Sequence, residues 1–159
     1  MFGKLIERLK GKRDVNTNLN YQFDINSITK ENITLGVLVE IKSHVIDKES
    51  YLKNQPAEKI IKDNLQQLFD KEVNKIVLDD YIKKIVEEPL YYTEYYKTYF
   101  YDNLKKLFFK VGLIIDELTV PLVIAPSVLI DSYKKIKHAE SEKERIIQER
   151  INELNGKSF

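Results

Sequence analysis

The stretch Ile28–Leu52, ITKENITLGVLVEIKSHVIDKESYL, decides the fold. Ile33, Leu35, Val37, Val39, Ile41 and Val45 fall on one face of a period-two pattern, with Thr34, Glu40, Lys42 and His44 on the other. That alternation is the pattern of a strand with one buried face. At Asp47 the period changes. Its carboxylate can cap a single helical turn ending near Lys53, so strand and helix meet within one short segment.

Working outward, Tyr21, Phe23 and Ile25 alternate with polar residues and suit an antiparallel neighbour, joined through a turn at Asn26 and Ser27 and then Thr29–Asn32. Downstream, Pro56 is placed to open a helix whose stripe is Ile60, Ile61, Leu65, Leu68 and Phe69, running to about residue 73. Asn74–Leu78 is ambiguous, with a short strand as one reading. Asp79 or Asp80 can cap a helix carrying Tyr81, Ile82 and Ile85 that ends before Pro89. Residues 91–111 read as the longest regular helix, with Tyr92, Tyr95, Tyr96, Tyr99, Asn103, Leu104, Leu107, Phe108 and Val111 near one face and Gly112 as its stop. Leu113–Ile124 reads as a strand, irregular near Pro121, and Ala125-Pro126-Ser127 starts a final helix to about residue 154. The expected fold is α+β: an antiparallel sheet from about 21–25, 33–45 and 113–124, packed by helices at 57–73 and 91–111, with a C-terminal charged helix. The expected segments are an amphipathic basic one at 1–13, a domain at 20–126 and the helix at 127–159.

The chain has 159 residues and a formal charge of +1, so no global field draws it to nucleic acid or an anionic membrane. The charge is uneven: Lys4, Arg8, Lys10, Lys12 and Arg13 stand against Glu7 in the first 13 residues. There is no cysteine, which removes disulfides, thiolate nucleophiles and cysteine-rich metal sites. No run approaches the ~18 apolar residues of a membrane span. The first residues lack the apolar core and cleavage site of a secretory signal. A cytoplasmic location is expected, with a peripheral position on the inner face of a membrane as its variant.

The order of elements resembles the SPFH (band 7) domain of stomatins, prohibitins and flotillins. Ile28–Leu52 is similar to that family's T-K-D-N-V opening of a long strand that closes in a V-x-D turn. AEKIIKDNLQQLF (57–69) followed by KIVLDDYIKKI (75–85) looks like its helix, short segment and helix. NLKKLFFKVGLIIDELTVPLVIAPSVLIDSYKKIKHAESEKERI (103–146) resembles its closing helix, G-I-x-V, strand, proline and charged helix. Gly112 and Pro126 are the most telling punctuation. The resemblance spans about residues 28–150 and implies a scaffold that oligomerises, often on a membrane. Membrane-bound members usually begin with an apolar hairpin or spanning helix and continue into a long coiled coil. This chain has no such apolar hairpin, and about 30 residues follow Pro126.

Two segments are candidates for that work. Phe2, Leu5, Ile6 and Leu9 sit at helical spacing with Lys4 and Arg8 elsewhere on the wheel, which suits either an in-plane membrane contact or packing against protein. Ile136, Lys143, Ile147 and Leu154, with Glu140 and Arg150 between them, trace a heptad seam for assembly, half of it charged. The run Tyr91, Tyr92, Tyr95, Tyr96, Tyr99 and Tyr101 suits core packing or a subunit interface, because its spacing is that of a helix laid on a sheet. Stacking on nucleobases is the alternative.

No catalytic constellation stands out. Asp79–Asp80 and Glu87–Glu88 are sequence neighbours that point apart on a helix and read as caps or solvated residues. His44 and His138 have no partner at metal-ligand spacing, and the five glycines form no phosphate-binding loop. The expectation is therefore a non-enzymatic SPFH-like scaffold, without cofactor or metal, that forms a homo-oligomer and makes a peripheral membrane contact. Nucleic acid is not the expected partner, and a protein partner is not identified. The alternative is a nucleic-acid- or virion-associated binding protein using the basic N-terminus and the tyrosine-rich helix.

Overall fold

The computed structural model describes residues 17–156. In chain order the elements are β1 (Asn18–Ile28), β2 (Thr34–Val45), α1 (Lys48–Lys53), α2 (Ala57–Val73), α3 (Leu78–Glu87), α4 (Tyr91–Lys110), β3 (Leu113–Ile124) and α5 (Ser127–Gly156). This is an α+β fold. Its three strands form one antiparallel sheet in the order β1-β2-β3. The chain divides into two compact units, one ending at Ala125 and the other beginning at Pro126.

β2 is the central strand, and its alternation does what the sequence predicts: Leu35, Val37, Val39 and Ile41 are all buried. Opposite them β1 contributes Phe23 and Ile25, and β3 contributes Leu113, Ile115, Leu118 and Val120. Two helices cover this face, α2 against β1 and α4 against β3. The buried stripe of α2 is Ala57, Ile61, Leu65, Leu68, Phe69 and Val73. That of α4 is Tyr96, Phe100, Leu104 and Phe108, one residue per turn. Burying each such side chain removes enough apolar surface from water to contribute about 1.5–3 kcal/mol.

Several local expectations are corrected. β1 runs straight through Asn26 and Ser27, and the turn lies only at Thr29–Asn32, closed by Thr29 N–H to Ile33 O at 2.8 Å with Asn32 at φ 64°. Residues 74–78 form no strand. Lys75 and Ile76 donate back to Glu72 and Val73 carbonyls, and α3 then starts at Leu78. Val77, not Asp79 or Asp80, is the N-cap of α3; the two aspartates sit in its first turn, where their charge complements the helix dipole. On α4 the buried row passes through Phe100 rather than Asn103, which is exposed and donates to Tyr99 O at 2.7 Å.

The caps at Asp47, Pro56 and Gly112 fall where expected. Asp47 accepts from Ser50 N–H at 3.2 Å, and Pro56 is the N-cap of α2. β3 is irregular, as Pro121 suggests. It carries one residue more than β2 between the Leu38–Leu122 and Glu40–Thr119 pairs, and another between Lys42–Glu117 and Ser43–Ile115. Each extra residue faces out, so the inward alternation survives in a strand that bends. Proline is tolerated there because β3 lies at the sheet edge.

Gly112 joins the two halves of the core. It has φ +84°, and its carbonyl accepts from Ile46 N–H at 2.9 Å and Asp47 N–H at 3.2 Å. A Cβ at this position would collide with Asp47 O and lie 2.7 Å from Tyr51 N. Gly112→Ala should therefore destabilise the domain by roughly 2–4 kcal/mol, through left-handed strain plus the clash, read as a lowered denaturation midpoint.

Candidate functional site

Two surfaces draw attention. The first is aromatic and lies where α3 meets the start of α4. Tyr81 and Tyr96 are buried with their hydroxyls 3.0 Å apart, each the other's hydrogen-bond partner. Tyr92 lies over Tyr81 at a ring separation of 4.3 Å. Tyr91, Tyr95 and Tyr99 form an outer ladder of near-parallel rings, 6.4 and 6.1 Å between successive centroids. Tyr92 stands at 87° to both Tyr91 and Tyr95. Tyr81, Tyr91, Tyr92, Tyr95 and Tyr96 line a cleft of about 340 Å³ completed by Glu72, Lys75, Ile76, Val77 and Asp80.

The electrostatics of this cleft are negative. Burial, and then the nearby Glu72 carboxylate, push the Tyr95 hydroxyl up to about 12. Tyr92 is also raised, first by burial, with Asp80 and Glu72 adding to it and Lys84 opposing. Tyr81 and Tyr96 are raised further, mainly by burial. Outside the cleft the Lys84 ammonium sits 4.4 Å from the Tyr91 ring centroid and pairs with Glu88. Carboxylates flanking the rings oppose a phosphate backbone, which weighs against base stacking here. The spacing of the tyrosines was visible in sequence, but the carboxylates brought to them from α2 and α3 were not.

The second surface is α5. It buries none of its residues. Ile136, Ile147 and Leu154 of the anticipated seam are 59%, 49% and 66% exposed. Lys143, also on the seam, is exposed with them. The helix adds Ile151, one position beyond Arg150, as a further exposed apolar group beside Ile147 and Leu154. Arg145 bridges Glu142 and Glu149 on the solvated side. Phe2, Lys4, Leu5, Ile6, Arg8 and Leu9 lie outside the described residues.

On the polar face of the sheet, His44 Nδ1 lies 2.8 Å from both carboxylate oxygens of Asp116, beside the Lys42–Glu117 pair. The bulge at Asp116 turns two successive acids outward, which places them opposite these bases. Among the described residues no group of three or more His, Asp or Glu gathers to hold a metal ion. Nor is any described helix long and apolar enough to cross a membrane. No protein-family profile and no curated protein sequence matches the chain.

The hydroxyl pair gives a test of the aromatic packing. Tyr96→Phe strands the buried Tyr81 hydroxyl and should cost about 1–3 kcal/mol, whereas Tyr81→Phe/Tyr96→Phe should cost less than the two single changes summed. The folded state keeps these hydroxyls protonated above their ordinary value of 10.0, so the associated stability is intact below that pH and is lost as pH rises through the folded values. Denaturation midpoints should fall above pH 10.0, and less steeply in the double variant.

Proposed function

We propose that this chain is a non-enzymatic scaffold of the SPFH kind that self-associates through α5 and an edge of its sheet. The observation that carries the reading is the 30-residue α5, which buries no residue yet aligns Ile136, Ile147, Ile151 and Leu154 along neighbouring rows. Helices gain most of their stability from packing an apolar face. Glu140, Lys143 and Arg150 interrupt this one, so a dimeric seam would be weak and many weak contacts in a larger assembly would suit it better.

The sheet supplies the second contact. β3 is blunted by Pro121 and two bulges, devices that discourage edge pairing. β1 pairs with β2 in unbroken register from Asn18 to Ile28, and among the described residues no strand covers its outer side. Near the end of that edge Gln66 Nε2 donates to Asn26 O at 2.7 Å. The strand–strand–helices–strand–helix order and the left-handed Gly112 support the family resemblance. Residues 2–13, with Phe2, Leu5, Ile6 and Leu9 beside five basic groups, would add a membrane-surface contact worth about 1 kcal/mol per basic residue at an anionic surface.

Light scattering of the full chain across concentration should show reversible association, strengthened by anionic liposomes. Ile147→Glu/Leu154→Glu should weaken it by at least about tenfold while leaving the thermal midpoint of the sheet domain in place. A strict monomer that ignores liposomes would refute the reading.

A further inference from the structure

We propose that α5 pairs antiparallel with α5 of a second copy, about a two-fold axis crossing the helix between Glu140 and Lys143. The inference rests on the self-association proposed above and gives it a partner and a direction. The seam Ile136, Glu140, Lys143, Ile147, Arg150 and Leu154 extends back through Tyr133 and Leu129 at the same alternating intervals of three and four. An antiparallel partner presents this order backwards. Glu140 then faces Lys143 of the second copy, Ile136 faces Ile147, Tyr133 faces Arg150 and Leu129 faces Leu154, and the axis repeats every match. Apolar groups meet apolar groups, opposite charges meet, and a guanidinium meets an aromatic ring that attracts it.

A parallel partner would set Glu140, Lys143 and Arg150 each against its own copy, three like-charge contacts that disfavour that pairing. The flanks agree with the antiparallel order, which brings Lys137 to Glu144 and Ile130 to Ile151 of the second copy. The charges that weaken the seam are thus the ones that choose its direction. Ile136, Ile147 and Leu154 are exposed, and so are Glu140, Lys143 and Arg150. Arg145 bridges Glu142 and Glu149, and Gln148 donates to Asn152 at 3.2 Å, on the heptad positions farthest from the seam. Such a contact closes on itself, so α5 joins copies two by two and leaves larger assemblies to the sheet edge.

The chain has no cysteine, so single cysteines placed in α5 report the pairing cleanly. Full chains carrying Ile136→Cys or Ile147→Cys are mildly oxidised, separately and as a mixture. The mixture should give a covalent heterodimer and neither variant alone should, because the two positions lie about 16 Å apart along one helix. Separately, Glu140→Lys and Lys143→Glu should each weaken association in light scattering by at least about tenfold, and their equimolar mixture should recover it. Mixing leaves contacts within each helix unchanged, so recovery isolates the contact between copies. Crosslinking of either variant with itself, no crosslink in the mixture, or no recovery by the mixed charge variants would overturn the antiparallel pairing. If the unaltered chain still associates in that case, the scaffold reading stands without it. An unaltered chain that stays monomeric throughout would overturn both.

Discussion

The structure depends on one constraint: a three-stranded sheet must bury one face and has two helices with which to do it. Among the described strands β2 alone is paired on both sides, and its inward row of Leu35, Val37, Val39 and Ile41 belongs to the apolar cluster. The Tyr96–Phe100–Leu104–Phe108 row of α4 and the Ile61–Leu65–Phe69 row of α2 close that face. Other features follow from keeping this contact intact. The bulges let β3 bend while its side chains stay in register with the core, and Gly112 lets α4 turn directly into β3 where the backbone of α1 leaves no room for a Cβ.

Among the described residues no helix of the sheet domain packs on the opposite face, and its chemistry is correspondingly polar. Asn20, Gln22, Asp24, Glu40 and Lys42 point outward, joined by the His44–Asp116 pair. Such exposed pairs contribute little to stability, on the order of 0–1 kcal/mol. They keep the face wet. At one end the pattern lapses, with Leu122 and Ile124 exposed beside Leu38 and Gly36.

Most of the fold was legible because its signals are local. Alternation in 33–45, the Asp47 cap, Pro56 and Gly112 each act within a turn or two of chain, and each stands where the sequence places it. What escaped was set by tertiary contacts. The α4 face is rotated so that Phe100 is buried and Asn103 is not, because Phe100 stacks on Tyr96, which also packs edge-on against Phe69 of α2. Asp79 and Asp80 do not cap α3, since the chain enters helix directly from the turn that ends α2. The candidate surfaces were half visible. The tyrosine spacing was plain, whereas the meeting of those rings with Glu72 and Asp80 requires three helices to be placed.

The proposed scaffold function divides the chain into a sheet domain with its own core and a long helix whose described residues are all unburied. Amide hydrogen exchange measured across protein concentration tests that division most directly. β2 amides should stay protected at every concentration, while α5 amides should be protected only where association is favoured and should exchange freely on dilution. Protection of α5 that does not change with concentration would contradict the account.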